Sequence, residues 1–234
     1  MVLMWSLALL VAATSLRYFV FSPQAGDAFE IRSSAGFNKI ATKRPLPVLG
    51  FASHNRPLIL LHVAGGALAL VTGLLQFFPR LRNSRPEIHR GLGRVYLGAV
   101  VMGSCDGLPL SYLAFRHVSE PIRSALSPTA AAFTTLALTW PFLTGMAFLR
   151  VRQRRFEEHR AWMIRSYSLT FAAVTTRLIS PLVLLLTHDG LLSLNISIWT
   201  WPLNLLVAEW LIRRSTHRPE KPYIQTARAT TASA

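Results

Sequence analysis

Apolar residues along this chain gather into runs of about twenty, separated by short stretches dense in arginine. Six runs stand out: about Met4–Phe21, Pro57–Phe78, Gly91–Phe115, Pro128–Leu149, Trp162–Thr187 and Leu192–Ile212. A helix rises about 1.5 Å per residue, so each run is long enough to cross roughly 30 Å of bilayer hydrocarbon. The pattern predicts an all-α integral membrane protein, a bundle of about six transmembrane helices. No Lys or Arg precedes the first run and no clear small-x-small cleavage site follows it, which predicts an uncleaved helix rather than a signal peptide. The organisation that follows is an N-terminal helix over residues 1–21, an extracytoplasmic loop over 22–56, a five-helix membrane core over 57–213 and a basic, disordered cytoplasmic tail over 214–234.

The connections set the orientation. PRLRNSRPEIHRGLGR joins the second and third runs with Arg80, Arg82, Arg85, Arg90 and Arg94 against Glu87 alone. RVRQRRFEEHRAWMIR joins the fourth and fifth with Arg150, Arg152, Arg154, Arg155, Arg160 and Arg165 against Glu157 and Glu158. The tail adds Arg213, Arg214, Arg218, Lys221 and Arg228, while two of the alternate connections are poorer in charge and the third, Ser22–Arg56 with five basic residues, is long enough to weigh less in the rule. By the positive-inside rule the Arg-rich side is cytoplasmic, and both termini with it. The expected location is the plasma (inner) membrane.

Composition agrees. Only 15% of residues are charged, against about 25% in soluble domains. A net charge of +15 raises the question of a nucleic-acid partner. The basic residues flank apolar runs and no nucleic-acid motif is present, so anionic lipid headgroups on the cytoplasmic face are the expected partner. The single Cys105 excludes an intramolecular disulfide and a cysteine-based zinc site. Walker, GxGxxG–helix, GxSxG and HExxH patterns are absent.

Three stretches carry a family resemblance: LHVAGGALALVTGLLQFFPRLR with His62, EIHRGLGRVYLG with His89, and HRAWMIRSYSLTFAAVTTRL with His159 and Arg177. Together, over about Leu60–Leu186, they resemble a bacterial family of predicted membrane proteins known as domain of unknown function 2306. The resemblance implies a helical membrane protein and brings no assigned activity. A looser similarity is to b561-type membrane cytochromes, in which histidines on four core helices hold two haems. The fourth run here has no histidine, so the resemblance implies at most one b-type haem, between His89 and His159.

Depth sorts the polar residues. Asp106 lies 17 residues beyond His89 and Arg177 lies 18 beyond His159, which puts both roughly 25 Å above the cytoplasmic ends of their helices. A lone charge at that depth costs about 2.5–3.5 kcal/mol, so such residues usually pair inside the bundle. A buried Asp106–Arg177 ion pair is expected, with His62 close enough to join it. This cluster reads either as a polar pin fixing helix register or as a proton relay or ligand anchor. At the inner level, His89, Arg90, Arg94, His159, Arg160 and Arg165 gather with Glu209 near the end of the sixth run. They read either as lipid-phosphate contacts or as a haem site, with His89 and His159 as ligands and Arg94 and Arg165 toward the propionates. His62, Gly66, Ala69, Gly73 and Gln76 recur on one helical face, where small residues allow close packing or space for a flat ligand. Pro141 and Pro181 are expected to kink the fourth and fifth runs.

Three function classes remain open: a b-type haem or quinone-linked electron-transfer protein with a redox or membrane partner subunit, a small proton-coupled transporter, and a non-catalytic or lipid-interacting membrane subunit.

Overall fold

The structure is a computed structural model that describes residues 2–15, 39–40, 43, 56–116 and 120–216. The expected loop 22–56 and tail 214–234 fall largely outside these residues. Among the described residues the elements are helical: α1 Val2–Ser15, α2 Arg56–Leu75, α3 Pro79–Ser84, α4 Pro86–Arg116, α5 Glu120–Arg152, α6 Phe156–Thr187, α7 Gly190–Asn195 and α8 Ser197–Thr216.

Four stretches are long and apolar enough to cross a membrane: Arg56–Leu75, Glu120–Arg152, Phe156–Thr187 and Gly190–Ser215. The last joins α7 and α8. Their outward faces are what lipid requires. Leu178, Leu182 and Leu185 on α6 are exposed, as are Trp199, Leu203, Leu206 and Trp210 on α8. Each set follows the three-and-four spacing of one helical stripe, a contiguous apolar surface that a water-facing protein rarely carries. α4 is longer than any of the expected runs but less apolar, because its first turns hold His89, Arg90 and Arg94 and its second half holds Asp106.

The helices run without a break through Pro109, Pro128, Pro141, Pro181 and Pro202. Each proline removes one N–H from the ladder, a loss that bundled membrane helices tolerate. The turn between α5 and α6 is tight. Arg154 takes the left-handed conformation at φ 59°. Arg155 N–H donates to Arg150 C=O at 3.0 Å and Arg154 N–H to Val151 C=O at 3.1 Å. That is a Schellman ending with arginine where glycine is usual. At the far end of α6, His188 ends the helix at φ 56°, and the Asp189 side chain then caps α7 by accepting from Leu192 N–H at 3.0 Å.

The core joins α1, α2, α4 and α6 through Ala8, Val11, Ala69, Leu74, Tyr96, Val100, Tyr167 and Val174. Two glycines let α2 come close. A Cβ on Gly65 would stand 3.2 Å from Ala99 C=O, and one on Gly73 would stand 2.6 Å from ring carbons of both Tyr96 and Tyr167. The close-packing reading of this face therefore holds at Ala69 and Gly73, whereas Gly66 faces open space and His62 is exposed.

A hydroxyl network runs through the centre. Tyr96 Oη lies 2.7 Å from Ser166 Oγ and 2.9 Å from Thr170 Oγ1. Ser166 also meets Thr144 Oγ1 at 2.6 Å, and Trp140 Nε1 donates to Thr170 at 3.1 Å. These bonds fasten α4, α5 and α6 where the interior offers no water to satisfy a polar group.

Candidate functional site

The two HR segments meet. α4 begins just after the Arg-rich α3, and α6 begins just after the Schellman turn, so both helix starts stand at one end of the bundle. Between them lies a cavity of about 200 Å³ lined by Gln76 after α2, His89, Arg90, Arg94 and Leu97 of α4, Phe148 of α5, and His159 and Met163 of α6. Its walls are mostly apolar and its charged lining is entirely cationic.

Local structure aims the polar groups. Gln76 Nε2 donates to His89 C=O at 3.3 Å, which ties the end of α2 to the first turn of α4. His159 Nδ1 is 2.8 Å from Ala147 C=O. A carbonyl only accepts, so Nδ1 carries the proton and Nε2 is the basic nitrogen of the neutral ring. His89 Nδ1 is buried and has no hydrogen-bond partner. Burial, then His159, Arg82 and Arg90, hold the His89 imidazolium below its ordinary value of 6.5. Positive groups thus surround a histidine whose protonation burial already disfavours.

Two acids near this end of the bundle are engaged elsewhere. Glu158 pairs with Arg150 at 3.2 Å and with Arg155. Glu209 accepts two bonds from Arg165, one of them from Nη2 at 3.1 Å. The Arg165 guanidinium also lies 4.8 Å from the Trp162 ring centroid. Arg165 is therefore not brought to the cavity: its two-pronged pairing with Glu209 fixes α6 to α8 instead. His89, His159 and Arg94 do line one space, as their spacing suggested.

Cofactor pockets commonly enclose about 300–1,000 Å³, against the roughly 200 Å³ of this cavity as packed. Among the described residues no group of three or more His, Cys, Asp and Glu side chains could hold a metal ion.

Deeper in the bundle the expected ion pair needs correcting. Asp106 is buried, and its Oδ1 lies 2.9 Å from His62 Nδ1. Oδ2 has no hydrogen-bond partner. Arg177 is exposed, and its Nη1 donates to Ala173 C=O of its own helix at 3.0 Å. The structure joins Asp106 to His62 and does not bring Arg177 to them. Helical phase supplies the reason. Tyr96 faces α6, and Asp106 comes ten residues later, about a fifth of a turn short of three turns, so it points toward α2.

A chemistry-bearing group that the sequence did not single out is the Tyr96–Ser166–Thr170 network beneath the cavity, with Tyr96 itself in the lining. The signal lay inside the segments HRGLGRVY and MIRSYSLT, where the histidines and arginines drew attention first.

A family model described as "Predicted membrane protein (DUF2306)" matches residues 59–212. The matched span contains every residue of the cavity and both members of the His62–Asp106 pair. No curated protein and no solved structure matches the chain.

Proposed function

Since this chain belongs to the DUF2306 family of predicted membrane proteins, we propose that it is a lipid-interacting membrane protein whose cavity between the two HR helix starts binds an amphipathic ligand. In this reading six helices cross the bilayer, α1 and α4 with the four apolar spans, and the Arg-rich end with both termini faces the cytoplasm. The cavity then opens at the inner membrane–water boundary, where one end of a ligand is wet and the other apolar.

The observation that carries the reading is an apolar-walled cavity whose charged lining is Arg90 and Arg94, with His89, whose buried Nδ1 has no hydrogen-bond partner, beside them. Buried polar atoms nearly always have a partner, and an orphan calls for one. Leu97, Phe148 and Met163 supply the wall for an apolar body, while His89, Arg90 and Arg94 meet its head. Native mass spectrometry of the purified protein tests this. An amphiphile should be retained by the wild type and lost in Leu97→Trp, whose larger side chain fills the space. Equal retention in both refutes the reading.

A second reading, electron transfer through a quinone ring, draws on the paired imidazoles. His89 and His159 line one space, and the unprotonated Nε2 of His159 accepts from the hydroxyl of a quinol. It requires that added quinone be reduced or oxidised with a spectral change that disappears in His89→Ala. A Soret band lost in the same variant would instead point to a haem and to helices that part further than they do here.

A further inference from the structure

We infer that the head of the amphiphile bound beside His89 is an anion, a phosphate monoester or phosphodiester group seated on Arg90 and Arg94. The inference rests on the cavity reading above and names its ligand class. Three observations support it. First, every charged side chain in the lining is basic. Second, Glu158 is committed to Arg150 and Arg155 and Glu209 to Arg165, while Glu87, three residues before Arg90 on α4, is outside the cavity lining. None of the described carboxylates forms an ion pair with Arg90 or Arg94. Third, His89, whose buried Nδ1 has no hydrogen-bond partner, lines the same cavity beside the two arginines. A neutral headgroup would leave the cationic field unbalanced, and an anion balances it.

Geometry selects phosphate chemistry over a bare counter-ion. Arg90 and Arg94 stand four residues apart on α4, one turn of the same helical face, so two guanidinium forks converge on one head. Guanidinium matches the oxygens of phosphate in pairs, which a single-point cation does not. The apolar wall behind them holds the chain of the same molecule. The source is either a membrane phospholipid or a soluble phosphate, and the size of the apolar contribution tells them apart.

Thermal unfolding of the full chain in a nonionic detergent tests the assignment with three probes: hexyl phosphate, hexan-1-ol and inorganic phosphate. Hexyl phosphate should raise the unfolding midpoint most. In Arg90→Gln/Arg94→Gln its affinity should fall about a hundredfold, roughly tenfold per arginine or about 1.4 kcal/mol each, with the hexan-1-ol response kept. Arg90→Lys/Arg94→Lys retains the charge without the paired fit and should restore only part of the response, while the hexan-1-ol response kept in both double variants separates lost binding from lost folding. Hexan-1-ol matching hexyl phosphate in the wild type overturns the anion while leaving the cavity reading intact. Inorganic phosphate matching hexyl phosphate overturns the lipid source. Stabilisation that persists unchanged in Leu97→Trp places the ligand elsewhere and overturns both readings.

Discussion

Gly73 is the position where the packing beneath the cavity can be tested most sharply. An added methyl at Gly73 would sit 2.6 Å from Tyr96 Cε2 and 2.6 Å from Tyr167 Cδ2. Carbon atoms prefer about 3.5–4.0 Å, so both rings must retreat by about 1 Å. Neither is free to swing. Tyr96 Oη is held by Ser166 and Thr170 at 2.7 and 2.9 Å. Tyr167 Oη donates to Leu70 C=O at 3.3 Å, and its ring meets Phe77 edge-on at 5.4 Å. Overpacking of this kind costs about 1–3 kcal/mol, and each interhelical bond stretched out of range adds about 0.6 kcal/mol. Gly73→Ala should therefore destabilise the bundle by about 2–4 kcal/mol. Gly66→Ala, seven residues away in open space, should be neutral or gain up to about 1 kcal/mol from helix propensity. Reversible unfolding in mixed micelles reads both. Equal stability of the two variants would refute the close approach of α2 to the tyrosines.

Other consequences concern the turn, the deep pair and pH. Arg154 occupies a left-handed position at φ 59°, which disfavours an L side chain by about 1–2 kcal/mol. Arg154→Gly should raise stability by about 1 kcal/mol and Arg154→Ala should not, as measured by thermal midpoint. His62→Leu strands the buried Asp106 carboxylate, whose Oδ1 it now meets at 2.9 Å, at a cost of about 1–3 kcal/mol. The double variant His62→Leu/Asp106→Leu should recover most of that loss in the same unfolding assay, whereas no recovery would contradict the pairing. His89 is held below its ordinary value of 6.5, first by burial and then by His159, Arg82 and Arg90. The unfolded chain takes up a proton near 6.5 while the folded chain resists, so stability is fully present above that pH and falls as the pH drops below it. The charged or titratable groups around it are Arg82 on α3, Arg90 and Arg94 on α4 and His159 on α6, while Gln76 of the α2 side is uncharged. Unfolding midpoints followed downward from neutral pH should show this fall in the wild type, a weaker one in His89→Gln, and a weaker one again when hexyl phosphate supplies the missing negative charge.

The sequence made the bundle's ends legible and its interior much less so. Runs such as Pro57–Phe78 and Trp162–Thr187 announce membrane helices because lipid demands about twenty apolar residues in a row. The arginines of PRLRNSRPEIHR and RVRQRRFEEHR announce a shared end, and a cavity lies there, lined in part by His89, Arg94 and His159. Arg165 was harder to place. Its choice of Glu209 over the cavity depends on how α8 packs against α6, which no spacing within one helix reveals. Asp106 shows the same limit. Rise per residue gives its depth, but its partner depends on which neighbour its side of α4 faces, and that neighbour is α2 rather than α6. The hydroxyl network escaped notice because Ser, Thr and Tyr are ordinary residues in membrane helices. Only the packing around Gly73 concentrates Tyr96, Ser166 and Thr170 at one point.

The central claim is that an anionic head binds beside His89, on Arg90 and Arg94, at the membrane boundary. Solid-state nitrogen spectra of histidine-labelled protein in bilayers address it directly, with His89 assigned through His89→Gln. Adding an anionic phospholipid to phosphatidylcholine bilayers should shift the His89 Nδ1 resonance, and Arg90→Gln/Arg94→Gln should abolish the shift. A His89 resonance that stays the same with and without the anionic lipid would contradict the account.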